Sequence, residues 1–232
     1  MFDWLIALDK ELLLFCNAIH YPWLDNFYWM VTSRMLNIYM VLPLLAIMFH
    51  RRKALDAVLL IFTIALVVLL CDQVASSVFK PLFMRLRPSQ NPSLSVILVN
   101  GYHGGGLYGF ISSHAANSVG VAVFLALLFR NRFFSVAIAL WAFLTGYSRI
   151  YLGVHFPGDV LVGSIVGAMI GWGVFYLYNR LRVLLHKKSI LSSVENPYSR
   201  DIYARYFAIY IFILFAILLL LSFFKHQYYI FL

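Results

Sequence analysis

Three short clusters carry the residue types that chemistry on a phosphate group requires. The first runs Lys80-Pro-Leu-Phe-Met-Arg85-Leu-Arg87-Pro88, the second is Ser112-Ser113-His114, and the third is Ser148-Arg149 followed by His155 and Asp159. Arginine grips phosphate oxygens through two parallel N–H groups, while lysine supplies a point charge. Lys80, Arg87 and Arg149 offer both, with Arg85 as an accessory cation. The hydroxyls of Ser112, Ser113 and Ser148 can donate, and residues 112–114 open a helix whose first N–H groups point at the same anion. Basic residues at helix ends also anchor anionic headgroups, so the first cluster alone decides nothing. Arg149 lies at the end of an apolar run, six residues before a histidine, and tips the reading toward one shared site.

His155 precedes Pro157, a residue suited to the first turn of a helix, and Asp159 follows four residues after the histidine. A carboxylate there can hold one imidazole nitrogen and leave the other free to attack. The competing reading is a structural histidine beside an Asp159 helix cap. His114 is the candidate acid for the leaving oxygen, and His103 a weaker one in a glycine-rich stretch that reads as a flexible lid. His114, His155 and Asp159 also form a conceivable metal set, but three cations in the same pocket favour an anion. The expectation is a site without metal or cofactor.

These residues must be held by membrane helices. Of the 232 residues 63% are hydrophobic and only 12% charged, with a mean hydropathy of +0.85. Soluble domains carry about a quarter charged residues. Runs of about 20 apolar residues, enough to span a bilayer, recur along the chain. The alternating short segments of a barrel are missing. The net charge of +9 does not point to nucleic acid, because Arg51, Arg52, Lys53, Arg130, Arg132, Arg180, Arg182, Lys187, Lys188, Arg200 and Arg205 sit in short loops beside apolar runs. That is the pattern of cytoplasmic loops. Cys16 and Cys71 read as free thiols rather than a disulfide. Asp3, Asp9, Lys10 and Glu11 interrupt the first apolar stretch, which therefore does not resemble a cleaved signal.

The expected fold is all-α: a single membrane domain forming a polytopic bundle of about six spanning helices, with an amphipathic interfacial helix over 1–22. Spans are expected at 26–49, 54–79, 112–129, 133–151 and 157–178. The 26–179 core encloses a loop over 80–111, a basic cytoplasmic connector covers 180–205, and a sixth helix covers 206–224. Counting crossings puts all three clusters at one end of the bundle, opposite the basic loops. Arg34 and Asp72 would each lie deep in the bilayer, where a mutual ion pair would offset the cost; the competing reading is that Arg34 snorkels to the interface.

Taken together the clusters resemble the three signature motifs of the type 2 phosphatidic acid phosphatase superfamily. Lys80, Arg87 and Pro88 match its Lys, six residues, Arg-Pro. Ser112 and His114 match part of Pro-Ser-Gly-His. Ser148, Arg149, His155 and Asp159 match Ser-Arg, five residues, His, three residues, Asp. The second motif departs at Ile111 and Ser113, where the family has proline and glycine, although serine still presents its N–H. The resemblance implies a metal-independent lipid phosphatase. His155 would form a phosphohistidine, oriented by Asp159, and His114 would protonate the leaving group. Lys80, Arg87, Ser112, Arg149 and the Ser113 amide would hold the phosphoryl oxygens. The implied partner is a membrane lipid phosphate: undecaprenyl diphosphate, a lipid A phosphate, phosphatidylglycerol phosphate or phosphatidic acid. The implied place is a bacterial inner membrane, with the site on its outer, periplasmic face. A lipid-phosphate binder or transporter that breaks no bond is the alternative, and a haloperoxidase-like vanadate site is permitted by the same resemblance. Oligomeric state is not readable.

Overall fold

The computed structural model describes residues 3–50, 53–188, 190–191, 194–199 and 201–224. Backbone out of reach of water must satisfy its own N–H and C=O groups, so apolar runs wind into helices. Among the described residues these are α1 (Asp3–Asn17), α2 (Pro22–Thr32), α3 (Arg34–Phe49), α4 (Ala54–Phe83), α5 (Ser113–Phe129), α6 (Arg132–Tyr151), α7 (Pro157–Lys187) and α8 (Ile202–Phe223). The protein is an all-α, integral membrane protein. Helices α4, α6, α7 and α8 are each long and apolar enough to cross a bilayer, and α2 with α3 can make a fifth, bent crossing. Helix α5 has 17 residues, so a count of about six spans is only approximate.

The expected span over 26–49 is in fact two helices meeting at 53°. Ser33 causes the break: it adopts an extended conformation, donates its hydroxyl to Met30 O at 2.7 Å, and accepts from Leu36 N to cap α3. Such local side-chain bonds compete with helix continuation. The helix expected over 54–79 runs on to Phe83, and its stretch Val74–Phe79 is wound as a π-helix, a distortion common at functional positions. The helix expected over 157–178 continues to Lys187, so the connector begins well after residue 180. Arg182 is accordingly not a loop charge. It is 2% exposed and donates to Asp56 Oδ1 at 2.5 Å, tying α7 to the start of α4. The N-terminal helix stops at Asn17 and the last helix begins at Ile202. Arg51, Arg52 and Arg200 lie outside the described residues.

Arg34 and Asp72 do not pair. Arg34 is exposed at the start of α3, and Asp72 accepts instead from Ser76 Oγ, one turn along its own helix. The local partner is available without any long-range closure.

Helix α5 is the hub, packed against α4, α6 and above all α7. The α5–α7 contact is made by small residues, which let backbones approach closely. A Cβ added at Gly167 would lie 2.2 Å from Ala116 O, and one at Gly171 would lie 2.2 Å from Gly120 O. Replacing Gly167 with alanine is expected to destabilise the bundle by about 1–3 kcal/mol through overpacking. Gly173→Ala, at a position with nothing within 4 Å, should leave thermal unfolding in detergent unchanged.

Candidate active site

Helix α4 is closed by Met84, the residue after Phe83, which takes a left-handed conformation, and the chain continues extended. Arg87 N donates to Leu107 O and Gly109 N to Arg85 O, at 3.0 and 2.8 Å, so the two ends of the loop are clamped together. Alternate side chains of extended backbone share a face. Arg85 and Arg87 therefore both point inward, toward the start of α7.

Arg87 is 4% exposed and all its nitrogens are engaged. Nε donates to Gly106 O at 3.0 Å, Nη2 to Gly105 O at 2.9 Å, and Nη1 to both Val154 O at 3.1 Å and His155 Nε2 at 2.6 Å. The glycine-rich stretch is thus a cradle for a cation rather than a loose lid. Gly104, at φ +78°, brings the backbone against Arg87 Nη1 where a Cβ would sit 3.3 Å away.

A guanidinium only donates, so His155 Nε2 must carry the lone pair and Nδ1 the proton. That proton faces Asp159 Oδ2 at 3.4 Å. Asp159, fully buried, also accepts from Phe156 N at 3.0 Å and from Arg85 Nη1 at 2.8 Å. Burial first, then the charges of Arg87, Arg149 and Lys80, hold the His155 imidazole well below its ordinary value of 6.5. The ring is therefore neutral at pH 7 and stays neutral as pH falls through that value. An unfolded chain would take up the proton there, so this residue withdraws stability below pH 6.5 and withdraws none above it. In protein carrying ¹⁵N-histidine, His155 is expected to remain the Nδ1–H tautomer at pH 6; titration at the ordinary value would contradict this.

Lys80 Nζ donates to Ser113 Oγ at 2.9 Å and to Ser76 Oγ at 3.2 Å, which joins α4 to the first residue of α5. Ser112 is the N-cap of α5: its hydroxyl accepts from Ala115 N, and its own N–H donates to Asp159 O at 3.0 Å. Arg149, 1% exposed, donates through Nη1 to Thr32 Oγ1 and through Nη2 to Tyr102 OH at 3.1 Å. Its Nε is buried without a partner among the described residues. Lys80, Arg87, Arg149 and His155 all lie close enough to His114 to act on it electrostatically.

Two expected members stand apart. Ser148 is buried and spends its hydroxyl on Thr145 O at 2.7 Å within α6. His103 is exposed and faces Ser89 O at 3.3 Å. Among the described residues no three His, Cys, Asp or Glu side chains gather as a metal would require. Sequence reasoning missed Thr32, Tyr102, the Gly105 and Gly106 carbonyls, and Asp9 of α1, whose Oδ2 accepts from Arg85 Nη2 at 2.6 Å. Beside Ser113 and His114 opens a cavity of about 390 Å³ that runs down between α3, α4, α5 and α6. Its walls include Met40, Leu44, Ile64, Val68, Val121 and Leu125.

Residues 56–182 match the model of the PAP2 superfamily. The chain is 42% identical over 191 residues to the lipid A 4'-phosphatase of Bacteroides thetaiotaomicron, covering 80% of this chain and 83% of that one. It is 38% identical to the lipid A 4'-phosphatase of Porphyromonas gingivalis, over 78% of each. Among solved structures it is similar to LpxE of Aquifex aeolicus, with a TM-score of 0.54 and 30% identity over 72% of this chain and 93% of that one.

Proposed function

The chain belongs to the PAP2 superfamily and is a membrane phosphatase, and from this premise we propose that it removes a phosphate from lipid A by way of a phosphohistidine at His155. The observation that carries this reading is the 2.6 Å bond from Arg87 Nη1 to His155 Nε2. It leaves the lone pair of a neutral imidazole at the centre of a ring of cations, where a phosphoryl group can take over the donors that now face that nitrogen. Arg87, Arg149, Lys80 and the first N–H groups of α5 neutralise the charge on the phosphoryl oxygens.

Nε2 then attacks phosphorus, the bond to the lipid oxygen breaks, and His114 passes to that oxygen the proton it has taken from the incoming phosphate monoanion. Water attacks the phosphohistidine, His114 takes the water proton, and inorganic phosphate leaves with Nε2 restored. Asp159 holds Nδ1–H throughout. The apolar cavity beside His114 receives part of the lipid tail. Lipid A is favoured over undecaprenyl diphosphate, phosphatidylglycerol phosphate and phosphatidic acid by the similarity of this chain to two lipid A 4'-phosphatases. Lys53, Arg130 and Arg132 mark the end of the bundle away from the site, which supports a cytoplasmic placement for them and a periplasmic one for the pocket.

The test is phosphate release by purified protein from these four lipids, with and without chelator, followed by a search for labelled phosphate on the protein. Release from lipid A with label on His155 is expected. Lipid bound without release would leave only the binder reading.

A further inference from the structure

Asp9 lies on α1, outside the residues that match the family, yet it reaches the guanidinium that holds Asp159. Its Oδ2 accepts from Arg85 Nη2 at 2.6 Å and its Oδ1 accepts from Gly158 N at 2.7 Å. The other arm of the same guanidinium holds Asp159 Oδ1 at 2.8 Å, and its flat face lies 3.9 Å over the Phe156 ring. Asp9 and Arg85 are mostly buried, with side chains 14% and 26% exposed. A Cβ at Gly158 would come within 2.8 Å of Asp9 Oδ2, so the approach of α1 to this end of α7 depends on glycine there.

We propose that Asp9 is a positioning residue of the hydrolysis, acting through Arg85 to set the orientation of the Asp159–His155 pair. The inference rests on the function proposed above for His155. Arg85 carries one charge and faces two carboxylates. With Asp9 in place its fork is spread between them, and Asp159 keeps its second oxygen for His155. Without Asp9 the fork is free to turn fully onto Asp159, drawing that carboxylate off the imidazole. Helix α1 is itself fixed at its far end, where Asn17 Nδ2 donates to Tyr151 O at 2.9 Å and to Ile97 O at 3.0 Å, so its reach to Arg85 is rigid.

Asp9→Asn isolates the effect, because the amide oxygen still caps Gly158 N–H while the charge facing Arg85 is gone. In full-length protein with a hydrolysed lipid phosphate, kcat is expected to fall about 10–100-fold, the scale of a small misplacement of reacting groups. KM should stay within about twofold, since Asp9 does not touch the phosphate. Asp9→Glu should recover part of the loss, and Asp9→Asn combined with Arg85→Gln should be no slower than Arg85→Gln alone. The His155 Nδ1 proton resonance, read without substrate, should shift in Asp9→Asn. A kcat unchanged by Asp9→Asn, or double-variant losses that multiply, would overturn the inference. If the wild type releases phosphate from no lipid, the proposed function fails. The resonance then decides alone, and an unshifted signal overturns the role of Asp9.

Discussion

His155→Ala is expected to lower phosphate release from lipid by about 10⁴-fold or more, the scale on which removal of an enzyme nucleophile acts, and to leave no labelled phosphate on the protein. The expectation follows from the tautomer. Arg87 fixes the lone pair on Nε2 and Asp159 faces Nδ1–H, so His155 presents a neutral, oriented nitrogen to the anion. The variant should still fold. Arg87 loses one acceptor but keeps the carbonyls of Gly105, Gly106 and Val154, and Asp159 keeps Arg85 and the Phe156 amide. Binding of the lipid should survive, because Lys80 and Arg149 are untouched. Release at the wild-type rate would remove His155 from the mechanism altogether.

Arg87→Lys is the second large effect, with kcat expected to fall about 10²–10³-fold, as for loss of one oxyanion donor. The charge is conserved, so a purely electrostatic role would predict a mild change. The geometry predicts otherwise. Arg87 uses a planar fork to span two loop carbonyls, the Val154 carbonyl and the nucleophilic nitrogen at once, and a lysine ammonium cannot reproduce that fork. The loop around Gly104–Gly106 would also lose its central fastening, so faster proteolysis of that stretch should accompany the kinetic loss. A variant retaining more than a tenth of wild-type kcat would show that charge alone suffices.

The positions of Lys80, Arg87, Ser112, His114, Arg149, His155 and Asp159 were legible because their residue types are rare at the mouths of apolar runs. Counting crossings then placed them at one end. Their supports were not legible. Asp9 is one of four charges on an unremarkable amphipathic segment, and Thr32 gains meaning only because Ser33 breaks the helix after it. Gly105 and Gly106 contribute carbonyl oxygens, which no side-chain pattern announces. The expected Arg34–Asp72 pair failed for the opposite reason: two lone charges at similar depth invite pairing on paper, whereas Asp72 had Ser76 within one turn. Helix ends were misjudged where polar residues proved buried, as Arg182 is against Asp56.

The glycine contacts between α5 and α7 separate chemistry from surroundings. His114 and Asp159 ride on two rods that touch main chain to main chain, so the spacing of their backbones is set by that contact and not by bulky side chains packed between them. The outer flank of α7, where Leu161, Ile165, Met169 and Trp172 face away from the bundle, is under no such constraint. That flank can be rewritten to suit a thicker, thinner or differently charged bilayer while the reacting groups keep their spacing.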